Sequence, residues 1–153
     1  MHLTEHFEEI RQRAIEAFLE NGVLLPLLYY LKGDKIVAVT PMLFEADQKQ
    51  AAHQEILKRA KGLGVDGFIE ASESWYVTYE DRKPRIAPSK HPKRRECVMM
   101  IGRQRDQGRI ETQMRLYEIV RIGKQVDLIR RPSEEPKDPG SLSAWFDGYF
   151  SLP

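Results

Sequence analysis

Phe68-Ile69-Glu70-Ala71-Ser72-Glu73-Ser74-Trp75-Tyr76-Val77-Thr78-Tyr79 leads into a basic stretch, Glu80 to Arg94, and then into Arg95-Glu96-Cys97-Val98-Met99-Met100-Ile101. The first run alternates, as a strand buried on one side does. Ile69, Ala71, Glu73, Trp75, Val77 and Tyr79 share one face, and that face is apolar except for Glu73. A carboxylate there must stay hydrated, find a partner or take up a proton, because bare burial is costly. The last run reads as the returning antiparallel strand, with Arg95, Cys97, Met99 and Ile101 on one face. A register that sets Arg95 near Glu73 or Trp75 gives a charge-assisted pair or a cation–π contact. Two readings follow: a structural ion pair at a sheet end, or a site carboxylate held by an arginine.

The connection, 80–94, contains Pro84, Pro88 and Pro92, which exclude regular helix and favour extended backbone. It is long for a hairpin loop, and loops of that length tend to be functional or mobile. From Arg82 to Arg95 there are seven Lys or Arg and no acid. The stretch is either a solvated charged loop or an anion site. In the second case Arg85, Ser89, Lys90, His91, Lys93, Arg94 and Arg95 supply the donors.

Leu63-Gly64-Val65-Asp66-Gly67, then Ser72-Glu73-Ser74-Trp75, then Pro88-Ser89-Lys90-His91-Pro92 and Arg95-Glu96, resemble a group of small uncharacterised bacterial and phage proteins. That group carries a Ser-Glu-Ala-Trp strand followed by a Ser-x-His-Pro-x-Arg-x-Glu loop. Ser74 stands where the group usually has alanine, and the loop here is more basic. The resemblance spans residues 45–122. It implies no activity. It singles out Glu73, Trp75, His91, Arg95 and Glu96.

A chain of 153 residues fits one domain with a proper core. Its formal charge of +1 gives no global drive toward nucleic acid, so only the local cluster matters. The single cysteine, Cys97, excludes an internal disulfide and suits a reducing cytoplasm; flanked by Val98 and Met99, it reads as a buried apolar thiol. The N-terminus lacks a basic-then-apolar signal, and no apolar run approaches a membrane span. Four scattered histidines and one cysteine assemble no zinc spacing, and no cofactor is implied.

Along the chain, Thr4 is placed to cap a helix ending near Glu20, before Asn21-Gly22. Leu3, Phe7, Ile10, Ala14 and Phe18 form its apolar stripe. Val23–Leu31 is a nearly continuous apolar run in which Pro26 suggests a strand edge or bulge. Lys32–Lys35 turns it into a second arm, Ile36–Thr40, and one of Tyr29 and Tyr30 is expected to be exposed. A second helix is expected from Glu45 to Lys61, with Gly62 as its cap. Gly102–Gly108 reads as a loop. Arg109–Ile122 and Gln125–Arg130 read as a hairpin around Gly123-Lys124, leaving the sheet half solvated. The predicted fold class is α+β: two helices on one face of a mostly antiparallel sheet of about six strands, with a short C-terminal helical tail.

These elements predict a domain over 1–131, a proline-rich linker over 132–140 and a docking segment over 141–153. Leu142, Trp145, Phe146, Tyr149 and Phe150 carry the tail's apolar stripe. Three functions compete. The first is a non-catalytic binding module presenting loop 82–95 to an anionic partner, including weak non-specific nucleic acid. The second is an enzyme on a phosphate-bearing or other anionic substrate, with Glu73 or Glu96 as base, His91 as acid and Arg95 as clamp. The third is a structural protein that forms homodimers through the tail or the sheet face. No membrane partner is expected.

Overall fold

The computed structural model describes residues 2–81, 86–135 and 147–150. The chain forms α1 (His2–Asn21), β1 (Leu27–Lys32), β2 (Lys35–Pro41), α2 (Lys49–Leu63), β3 (Gly67–Tyr76), β4 (Arg95–Asp106), β5 (Arg109–Ile122), β6 (Gln125–Arg130) and one closing helical turn, α3 (Asp147–Phe150). The six strands make one antiparallel sheet in the order β2-β1-β3-β4-β5-β6. This is the α+β class. No described helix is long and apolar enough to cross a membrane.

The two long helices lie on opposite faces of the sheet, not on one. Leu3, Phe7, Ile10, Ala14 and Phe18 of α1 are all buried, and they pack with Tyr29, Leu31, Ile69, Ala71, Val98 and Met100. Ile56 and Ala60 of α2 pack with Leu28, Tyr30 and Phe68. Successive strand residues point to opposite faces, so Tyr29 and Tyr30 meet different helices and both are buried. The uninterrupted run Leu27–Leu31 is what a doubly covered strand needs. The centre of β5 is likewise covered on both sides: Leu116, Tyr117, Glu118 and Ile119 are all buried.

Several boundaries move for local reasons. α1 begins at His2, and the Thr4 hydroxyl accepts a hydrogen bond from Gln113 Nε2 (2.6 Å) instead of capping the helix. Pro26 lies before β1; its carbonyl accepts from Met42 N–H, and β1 itself is interior, with a bulge against β2 between Tyr30 and Leu31. α2 runs past Gly62 to Leu63. Gly64 is its left-handed cap (φ 65°), with Val65 N–H closing back on the Ala60 carbonyl. Val65 is buried, which supplies the apolar contact of such a cap. β4 does not end at Ile101. It continues to Asp106 and turns through Gln107 (φ 50°) and Gly108 (φ 78°), the paired positive angles of a tight hairpin turn. Gly102 therefore serves packing, not turning. A Cβ there would lie 2.5 Å from Phe7 Cε2 and 2.7 Å from Ile69 Cγ1.

Beyond β6 the chain stays on the sheet through Glu135. Arg131 N–H donates to the Leu116 carbonyl and Leu116 N–H to Glu135 Oε2 (2.8 Å), so 132–135 act as a strap where a linker was expected. Residues 136–140, and Leu142, Trp145 and Phe146 of the expected tail, lie outside the described residues. Tyr149 and Phe150 pack on Phe68 with centroids 5.2 and 6.1 Å away. The Tyr149 hydroxyl donates to the Val65 carbonyl, and Arg105 Nη2 donates to the Phe150 carbonyl (2.6 Å). The described end of the chain thus docks on its own sheet.

Gly102→Ala should destabilise the protein by roughly 1–3 kcal/mol, the usual cost of overpacking a core. Thermal melting should show a fall of several degrees. An unchanged melting temperature would refute the close approach of Phe7.

Candidate functional site

β3 and β4 pair in the register Tyr76↔Arg95, Trp75↔Glu96 and Glu73↔Val98. This is one residue away from the expected alignment, and a one-residue slip exchanges faces. Arg95 consequently lies on the α2 face with Tyr76, while Glu73 and Trp75 lie on the α1 face. The expected Glu73–Arg95 pair does not form. Glu73 is exposed, and its Oε2 accepts from Leu24 N–H (3.2 Å).

The partner of Arg95 is Glu118, a residue the sequence reading passed over. Glu118 is nearly buried in mid-β5 and accepts three hydrogen bonds. Oε1 takes the Tyr76 hydroxyl (2.9 Å) and Arg95 Nη1 (3.0 Å); Oε2 takes Arg131 Nη2 (2.7 Å). Burial pushes the Glu118 carboxyl up, but the bonds from Arg131, Tyr76 and Arg95 together outweigh it and hold the group below its ordinary value. Burial and the adjoining carboxylate push the Tyr76 phenol up to about 12. The signal was present: Glu118 interrupts the face of Met114, Leu116 and Val120, as Glu73 interrupts its own.

The loop's neck is closed by Lys93 Nζ on Asp81 Oδ1 (3.3 Å). Arg82, Lys83, Pro84 and Arg85 lie outside the described residues. Ser89 and Lys90 are exposed on a short 3-10 turn, Pro88–Lys90. His91 is only 2% exposed. Its Nδ1 accepts from Lys93 N–H (3.0 Å), and its carbonyl accepts from both Arg94 N–H and Arg94 Nη1 (3.2 Å each). His91 therefore shapes the turn that delivers Arg94, and it is not presented to solvent as an acid. Arg94 sits over the Trp75 ring, 4.9 Å from its centroid, the cation–π contact that the sequence placed on Arg95. Glu96 accepts from Arg121 Nε (3.1 Å).

The β4–β5 ladder stops at Cys97↔Glu118. Past that rung lies an open groove of about 530 Å³, lined by Trp75, Arg94, Arg95, Glu96, Glu118 and Arg121 among others. Trp75 is 40% exposed at its edge. The structure brings Arg94, Arg95 and Glu96 together here, with the His91 carbonyl on Arg94; Glu73 is not among the lining residues. Cys97 is fully buried, and burial pushes its thiol up to about 12, so it is no nucleophile at neutral pH. No group of three His, Cys, Asp or Glu suited to a metal occurs among the described residues. No family model, curated protein or solved structure matches the chain.

Removing Arg95 alone strands the Glu118 carboxylate, so Arg95→Met should lower the melting temperature more than the double change Glu118→Gln/Arg95→Met. Equal losses would show that the pair is uncoupled. The pH dependence has a fixed sign. A carboxyl lowered in the folded state contributes stability that is full above its ordinary value, here 4.5, and is lost as pH falls through its folded value. Denaturant melts taken downward from pH 5 should show stability falling less steeply in Glu118→Gln than in the parent.

Proposed function

We propose that this protein is a non-catalytic binding module that presents its basic loop, residues 82–95, to an anionic partner. One observation carries the reading. Arg94 is held at the groove mouth by the His91 carbonyl and the Trp75 ring, with no carboxylate partner among the described residues. A guanidinium fixed in this way needs little further ordering to grip an anion, and it can do so with two parallel donors. Exposed Lys90 adds positive charge, and the sequence of the same loop carries Arg82, Lys83 and Arg85.

The neighbouring carboxylates support binding over acid–base chemistry, because each is already engaged. Glu118 has three donors, Glu96 has Arg121, and Glu73 has Leu24 N–H. His91 is buried, with its Nδ1 taken by Lys93 N–H. The lone buried thiol suits the cytoplasm as the place of action.

The test is a titration with inorganic polyphosphate and with a labelled oligonucleotide at rising salt. Engaging about four phosphates should give a log–log slope of about −3 to −4. Lys90→Ala/Arg94→Ala should weaken both probes. Failure of both probes to bind at low salt would sink the reading.

A further inference from the structure

We infer that the anionic partner is single-stranded nucleic acid, and that one of its bases stacks on Trp75 in the groove between β4 and β5. This rests on the binding reading above and gives it a chemistry.

Three features of the groove point the same way. The first is the ring. Trp75 stands near the end of β3, in the exposed run Glu73–Trp75, with 40% of its surface open. An indole face carrying a guanidinium is already a stacking platform, and a nucleobase is a flat π system that can take the guanidinium's place. The second is the distribution of charge. Arg94 covers the ring and Arg121 lines the same groove. A base that takes the indole from Arg94 leaves its guanidinium bonded to the His91 carbonyl at the groove mouth, within the site that receives the anion. The third is shape. The groove is shallow and open, about 530 Å³, and leaves the indole within reach of a splayed base. The bases of a duplex are stacked on one another and present only their edges. Base stacking tolerates any sequence, since every base has a π face. A simple polyanion offers charge to the loop but nothing to the ring.

Arg95 also lines the groove, but its charge is balanced by the Glu118 carboxylate and its Nη1 completes that cluster. Glu96 has a negative part. It holds Arg121 by one nitrogen, Nε at 3.1 Å, which leaves the rest of that fork for an incoming phosphate.

The experiment uses the full chain carrying Trp145→Phe, so that Trp75 is the single tryptophan, and the Trp75 variants are read with a dye-labelled oligothymidylate and by its competition with polyphosphate. It is titrated with an oligothymidylate, with a duplex of equal length and with inorganic polyphosphate, at low and moderate salt. The expected result is that oligothymidylate binds most tightly and quenches Trp75. In that background Trp75→Ala should weaken oligothymidylate by about tenfold to a hundredfold, the loss of one stacked base, and weaken polyphosphate far less, since Arg94 keeps its hold on the His91 carbonyl. Trp75→Phe, which keeps an aromatic face, should retain most of the affinity. Thermal melting checks that both variants are folded. If polyphosphate binds as tightly as oligothymidylate and Trp75→Ala loses nothing, stacking is overturned while the anion reading survives. If no probe binds at low salt, both fall.

Discussion

Glu118 is a carboxylate with almost no contact with water, and it stays charged only because three donors reach it. Each donor comes from a different part of the chain: Tyr76 from the end of β3, Arg95 from the start of β4 and Arg131 from just beyond β6. A buried charge with fewer partners is strongly destabilising, so the arrangement is nearly all-or-nothing. One end of the sheet is thereby tied at a single point. The strap 131–135 is held by the same logic, since Glu134 and Glu135 accept from the backbone N–H groups of Tyr79 and Leu116.

That point also decides what the neighbouring arginines are for. Arg94 and Arg95 are adjacent in sequence but serve different partners. Arg95 completes the Glu118 cluster and is a structural cation. Arg94, one residue earlier and just before the strand begins, is turned by His91 onto the Trp75 ring. Glu118 also forms the last β4–β5 rung, and beyond it lies the groove. The buried cluster and the open groove meet at one sheet end, where Arg95 and Glu118 belong to both.

Much of this was legible in the sequence. The stripe Leu3, Phe7, Ile10, Ala14, Phe18 is the buried face of α1, the hairpins at Gly33 and Gly123 turn where expected, and the strand alternations hold within each strand. What failed was relational. Alternation fixes which residues of one strand share a face, but the offset between strands is set by the turn, and a connection as long as 77–94 carries no register. Arg95 was therefore assigned to the wrong carboxylate, and Arg94 was missed as the partner of Trp75. The sidedness of α2 was readable from the unbroken run Leu27–Leu31, which asks for cover on both faces. Gly102 and Gly62 misled for a shared reason. Glycine marks close approach or tolerance as well as turns, and only the local packing separates these uses.

The bulge between Tyr30 and Leu31 has a consequence at the sheet's rim. β2 is an edge strand, and Val37 and Val39 on it are exposed, at 38% and 39%. A straight edge with such side chains is a template on which another chain could add as a strand, the first step of aggregation. The bulge leaves Val37 without a cross-strand partner and interrupts the regular spacing of donors and acceptors, while Lys35 and Pro41 close the two ends of the strand. The irregularity in β2 thus acts as a guard on colloidal stability, keeping a β-rich chain from propagating its own sheet into its neighbours.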